Sequence, residues 1–199
     1  MTSNTTNALQ DIKDTIVLAG AGKMGGALLA GWLAHELKGK RVVVIEPLPS
    51  DEISALVTKG VRLNPSPKDI GAVATLVIAL KPQSFREAGA MLKSFTGRAT
   101  LVVSIMAGTT IASISEVCGG SVVRAMPNTP AAIGRGITVA VAAGNVSSSQ
   151  RAIADALLRA TGSVEWVDDE NLMDAVTAVS GSGPAYIFLL AEELARAGV

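Results

Sequence analysis

Three glycines stand in the run Gly20-Ala21-Gly22-Lys23-Met24-Gly25, and Glu46 lies 21 residues beyond the last of them. In a strand-turn-helix context each glycine has its own task. Gly20 permits a tight turn, Gly22 lets backbone approach a pyrophosphate, and Gly25 lets the following helix lie close to a sheet. A helix opening at Lys23 presents unpaired N–H groups and a partial positive charge to a diphosphate. A carboxylate at the end of the next strand accepts hydrogen bonds from a ribose 2′-hydroxyl and repels a 2′-phosphate. The pattern therefore fits dinucleotide binding, with Glu46 favouring NAD over NADP. A glycine-rich turn without a ligand, with Glu46 merely solvated, is the plainer alternative.

Further candidates follow other strands. Lys81-Pro82 ends a strand and opens a helix, so Lys81 either reaches a cofactor phosphate or ribose or is a surface lysine. Ala107-Gly108 offers small residues at the equivalent edge, where a nicotinamide ribose could approach. In Arg124-Ala-Met-Pro-Asn-Thr-Pro130, Asn128 and Thr129 could bond a ligand or satisfy their own turn. The scarcities matter as much. One cysteine, Cys118, excludes an internal disulfide and a multi-cysteine zinc site. One histidine, His35, excludes His-rich metal sites, and its place late in a helix suits capping of terminal carbonyls. Asp168, Asp169 and Glu170 at a helix start read as caps and dipole complements.

These residues need elements to hold them, and the chain supplies strands alternating with helices. Thr15–Ala19, Arg41–Ile45, Val61–Leu63, Leu76–Leu80, Thr100–Ser104, Val122–Arg124 and Ile137–Val141 are mostly apolar runs, as expected of strands covered on both faces. Helical patterns run from Lys23 to about Leu37, over 50–59 up to Gly60, from Pro82, and from Thr110 to about Val117. This alternation predicts an α/β fold with a largely parallel sheet over residues 14–163, preceded by a flexible lead-in over 1–13. From 164 onward the character becomes helical, with Val164–Val167 a last apolar segment and Ser180–Pro184 an interruption. Ala185–Ala191 is apolar nearly all round, which two helices cannot bury alone. Either a partner subunit covers it or the chain is cut short.

Composition sets the remaining bounds. The 199 residues are 49% hydrophobic and 17% charged, which excludes a disordered chain. Seventeen Lys and Arg balance seventeen Asp and Glu, so nothing favours nucleic acid or an anionic membrane as partner. The polar Met1–Asn7 lacks the layout of a secretory signal, and the apolar runs fall short of the roughly 20 residues that span a bilayer. A cytoplasmic protein is expected.

Taken in order, Gly20–Gly25, Ala79-Leu-Lys-Pro82, Val102-Val-Ser-Ile-Met-Ala-Gly108, Arg124–Pro130 and Val179-Ser-Gly-Ser-Gly-Pro-Ala-Tyr186 resemble the pyrroline-5-carboxylate reductases, from about residue 14 to 199. The resemblance implies an N-terminal Rossmann-type dinucleotide-binding domain and the start of an all-helical dimerisation domain. It implies reduction of the C=N bond of 1-pyrroline-5-carboxylate to proline, by NADPH or NADH, in a homodimer or higher homo-oligomer. By motif, cofactor contacts would come from Ala19, Gly20, Ala21, Gly22, Lys23, Met24 and Gly25, from Ala79, Leu80, Lys81 and Pro82, and from Ile105, Met106 and Ala107. Ser66 would lie on the adenine side. Glu170 would face the substrate amine, and Ser182 and Gly183 the nicotinamide end. The family often favours NADPH, whereas Glu46 argues for NADH. Family members also run on through more helices and a Ser-Pro-Gly-Gly-Thr-Thr loop, so the resemblance implies a C-terminally truncated chain.

The shortage of acid–base residues then has a chemical reading. A cyclic imine protonates to an electrophilic iminium, and its reduction requires mainly a well-placed hydride donor. A ketone needs a group to protonate the developing alkoxide. The β-hydroxyacid dehydrogenases, the alternative enzyme class, carry a catalytic lysine a turn or two beyond a similar glycine-rich segment. Ser182–Phe188 has none, and the last lysine is Lys93. A non-catalytic dinucleotide-binding module is the alternative from outside enzymology.

Overall fold

Strands built from Val, Ile and Leu have no polar face, so helices must cover both sides of the sheet they form. The computed structural model describes residues 5–198 and shows such a sheet. Its strands are β1 (Thr15–Ala19), β2 (Val42–Ile45), β3 (Arg62–Leu63), β4 (Val73–Ile78), β5 (Leu101–Ser104), β6 (Ser121–Met126), β7 (Gly136–Ala142) and β8 (Gly162–Trp166). They lie in the order β3-β2-β1-β4-β5-β6-β7-β8. The first six are mutually parallel, β7 runs antiparallel to β6, and β8 is parallel to β7. The chain winds outward from β1 through β2 to β3, then crosses back to β4. That reversal opens a crevice at the carboxyl ends of β1 and β4, where open α/β sheets place their ligands.

The helices are α1 (Thr5–Gln10), α2 (Lys23–Ala34), α3 (Asp51–Ala55), α4 (Pro67–Ile70), α5 (Pro82–Ser94), α6 (Ile111–Cys118), α7 (Ser148–Arg159), α8 (Leu172–Val176) and α9 (Gly183–Ala197). Leu28, Leu29 and Trp32 of α2 pack with Leu157 and Leu158 of α7 over one face of the sheet. Phe85 and Leu92 of α5 pack with Ile114 and Cys118 of α6 over the other. Polar ends are met locally. The Ser50 and Thr110 hydroxyls accept the first-turn N–H groups of α3 and α6, and Pro82 starts α5 where no N–H is needed. The Trp32 indole N–H donates to the Leu157 carbonyl at 2.8 Å, tying α2 to α7 across the core.

The structure corrects the sequence reading in four places. Residues 1–4 of the expected flexible lead-in lie outside the described residues. Residues 5–10 form α1, whose Leu9 is buried in the core and whose Gln10 donates to Glu36, because an apolar side chain there meets the open flank of α7. Helix α7 has no counterpart in the reading, although Ser147 and Gln150 form a reciprocal capping box at its start. Strand β8 pairs with β7 from Gly162 to Trp166, so the sheet runs past residue 163 and takes in the first three residues of the segment assigned to the helical unit. Finally, Ser180–Pro184 does not interrupt the last helix. Residues 177–181 form a π turn that carries α8 into α9, with the Ser182 N–H bonded to the Thr177 carbonyl. Among the described residues, no helix is long and apolar enough to cross a membrane.

Candidate functional site

Strand β1 delivers the chain to its carboxyl edge at Ala19, and Gly20 turns it with φ +92°, a conformation that side chains resist. A Cβ on Gly25 would stand 2.2 Å from the Gly20 carbonyl oxygen, so only glycine lets α2 start this close to the turn. Gly22 differs: no protein atom lies within 4 Å of where its Cβ would be. The space there is an open cradle at the N-terminus of α2, where no side chain caps the free N–H groups. A groove of about 610 Å³ runs on from it, lined by Gly22, Lys23, Gly26, Glu46, Ser50 and Ile53. These features fit an extended diphosphate-bearing cofactor.

Glu46 ends β2 beside the turn. Its Oε2 accepts the Ala21 N–H at 2.8 Å, and its Oε1 accepts the Leu48 N–H at 3.2 Å. Asn64, held at φ +46°, brackets the Glu46 backbone by accepting its N–H and donating to its carbonyl. The carboxylate is therefore locked at the groove wall rather than merely solvated, a rigidity that no local motif announces. Ser66 lies beyond β3, exposed, at the start of α4, and its side chain makes no capping bond.

The other candidate cofactor residues fall on the same edge. Ala79 and Leu80 follow β4 half-buried, Lys81 and Pro82 stand exposed at the start of α5, and Ala107 is exposed after β5. Ile105 and Met106 are buried in the clusters on opposite faces of the sheet, and their N–H groups donate to the Ile78 carbonyl and the Ser104 hydroxyl. A cavity of about 520 Å³ between α5 and α6 adjoins this point, lined by Pro82, Phe85, Gly108 and Thr109.

Glu170 is engaged elsewhere than its own helix. Its Oε1 accepts the backbone N–H of Ile111, the first residue of α6, at 2.8 Å. The same oxygen accepts from the Arg124 guanidinium at 3.0 Å. The expected cap thus closes the N-terminus of α6, brought near by the tertiary fold, and not that of α8. Arg124 is the only charged side chain buried among the described residues, and its other terminal nitrogen reaches Asp174 at 3.3 Å. Sequence reasoning did not single out Arg124 or Asp174. The available signal was a charge in the otherwise apolar Val122-Val-Arg-Ala-Met126 strand, which must find a partner once buried. Ser182 and Gly183 sit half-buried just after the π turn. The Asn128 side chain is engaged within the protein: its oxygen accepts the Ile137 N–H and its amide nitrogen reaches the Ser180 hydroxyl.

Two residues take the bland roles their positions suggest. His35 Nδ1 lies 2.9 Å from the Gly31 carbonyl at the end of α2. Burial pushes the Cys118 thiol from 9.0 up to about 11, leaving it a neutral packed side chain. No group of three or more potential metal ligands occurs among the described residues.

The glycine turn at a sheet's reversal point, with a helical extension seated on the same edge, defines a Rossmann-type α/β protein. The relatives narrow this. A family model described as pyrroline-5-carboxylate reductase dimerisation matches residues 170–199, and one described as NADP oxidoreductase, coenzyme F420-dependent, matches 15–108. A pyrroline-5-carboxylate reductase of Synechocystis is 40% identical over 185 residues, covering 92% of this chain and 68% of that protein. The pyrroline-5-carboxylate reductase structure from Coxiella burnetii superposes with a TM-score of 0.79 at 30% identity, covering 94% of this chain and 71% of the other. The Plasmodium falciparum pyrroline carboxylate reductase structure with NADP bound gives 0.77 at 27% identity, covering 94% and 69%. The chain belongs to the pyrroline-5-carboxylate reductase family.

Proposed function

We propose that this chain reduces 1-pyrroline-5-carboxylate to proline with NADPH or NADH, as a subunit of a homodimer or larger homo-oligomer in the cytoplasm. The observation that carries this reading is the 40% identity to a reductase of that name across both the nucleotide half and the helical half. Bound at the crevice, a reduced nicotinamide supplies the hydride. The chain's part is to bind and orient. The cradle at Gly22 and the N-terminus of α2 receive the diphosphate, and Glu46 stands at the ribose end of the groove. Lys81 and the backbone of Ile105–Ala107 flank the route along the edge, and Ser182 and Gly183 close its far end. Protonated on nitrogen, the ring is an iminium; hydride adds to the adjacent ring carbon and the C=N electron pair withdraws to nitrogen. No side-chain acid is then needed, in keeping with one histidine in the chain. Glu170 borders the amine through Oε2, the oxygen its two bonds leave over.

The test compares imine-dependent oxidation of NADPH and NADH with β-hydroxyacid-dependent reduction of the oxidised cofactors. Imine turnover alone is expected. Turnover of the hydroxyacid alone, or binding of cofactor with turnover of neither, would replace this reading with one of its two alternatives. The apolar side chains of α9, among them Tyr186, Phe188, Leu190 and Leu194, are more than half exposed, as a surface awaiting a second subunit would be.

A further inference from the structure

Residues 124, 126 and 128 lie on one side of the extended chain that leaves the sheet with β6, because side chains alternate along a strand. Each meets the helical segment. Arg124 spreads its two terminal nitrogens over Glu170, in the turn that leads into α8, and Asp174, inside α8. Met126 lies under the π turn, so close that a Cβ on Gly181 would fall 2.5 Å from its Cε. Asn128 reaches the Ser180 hydroxyl at 3.4 Å while the Ile137 N–H holds its carbonyl oxygen. Glu170 in turn holds the first N–H of α6, three residues past Gly108 and so next to the edge that follows β5.

We propose that the tail of β6 is a registration rail for the helical segment, and that Arg124 is the positioning residue that sets where Glu170, Ser182 and Gly183 stand relative to the cofactor edge. The buried guanidinium bridges two carboxylates and so ties the start of α8 at two points, the half-buried Glu170 more tightly than the exposed Asp174. Gly181 leaves room for the Met126 methyl under the π turn, so the strand that carries Arg124 also touches the turn just before Ser182. Arg124 touches neither substrate nor cofactor; it acts through Glu170. Lysine cannot reproduce the fork, and a neutral side chain leaves Glu170 half-buried and tied by one backbone bond.

The inference rests on the reductase reading and has a readout independent of it. In the full protein, Arg124→Met is expected to raise the KM for the imine by about tenfold or more, because small misplacements of a bound substrate cost that much. NADPH affinity should stay within about twofold, since the glycine turn is untouched. Arg124→Lys should fall between, and Arg124→Met combined with Glu170→Gln should be no worse than the worse single variant. Amide exchange over residues 170–183 should quicken in Arg124→Met while β1, β2 and β4 keep their protection. Parallel loss of NADPH affinity and imine binding, additive variants, or unchanged exchange over 170–183 would overturn the rail. Failure of the unsubstituted protein to reduce the imine would overturn the reductase reading instead, and the exchange result would still decide the rail.

Discussion

Helices α2 and α9 begin alike, each just after a glycine-bearing turn, and end in opposite circumstances. Helix α2 buries Leu28, Leu29 and Trp32 in the sheet's core, and its start is wedged against Gly20 by Gly25. Helix α9 buries none of its residues and exposes Phe188, Leu189, Leu190 and Leu194. The nucleotide edge is thus built by short-range geometry that one chain completes for itself. The helical segment takes its place from the β6 rail on one side and leaves its apolar surface exposed on the other. A site spanning both regions inherits a rigid half and a docked half.

Substitutions can break this contrast. The largest effect is expected from Gly25→Val, whose side chain must displace the Gly20 carbonyl; about 3 kcal/mol of stability should be lost, read by urea unfolding, together with cofactor binding. Retained binding would show that the turn is softer than its contacts. Next comes Leu190→Glu on α9, which should weaken self-association by about 2 kcal/mol in sedimentation runs while leaving the sheet's unfolding transition in place. A loss of sheet stability of the same size would mean that α9 supports its own subunit. Gly22→Ala sharpens the picture of the rigid half. With nothing within 4 Å of the new methyl, stability should hold within about 0.5 kcal/mol while NADPH affinity falls about tenfold. Unchanged affinity would take the diphosphate away from this cradle. The smallest effect is expected of Glu46→Ser, which removes like-charge repulsion worth roughly 1 kcal/mol and should raise kcat/KM for NADPH relative to NADH about fivefold. An unchanged ratio would make Glu46 purely a brace for Ala21 and Leu48.

Legibility in the sequence followed the range of the interactions. Strands β1 to β7 were readable because burial writes apolar runs locally, and Gly20, Gly22 and Gly25 were readable because their spacing forms a turn that closes within six residues. Helix α7 is less legible although its capping box is present, since much of its buried face is alanine and Ile153, Leu157 and Leu158 are its only large apolar residues. The expected boundary after residue 163 cuts through β8, because Val164–Val167 reads as an apolar segment without declaring a neighbour; only the pairing with β7 does that.

The candidate site divides the same way. Its members after β1, β2, β4 and β5 could be named from motifs, because a parallel sheet sends every such turn to one edge. What Glu170 does could not. A carboxylate at a helix start satisfies its own helix in the cheapest local solution, yet here it closes α6, 59 residues away, and pairs with Arg124, 46 away. Sequence alone determined the strand and helix runs, the glycine turn and the identity of the groups available for chemistry, since backbone propensity and alternation act over a few residues. Tertiary structure alone decided which carboxylate meets which cation, that Ile105 and Met106 are buried on opposite faces of the sheet, and that Ser180–Pro184 continues a helix. Those outcomes depend on burial and long-range pairing, and no local stretch of chain encodes them.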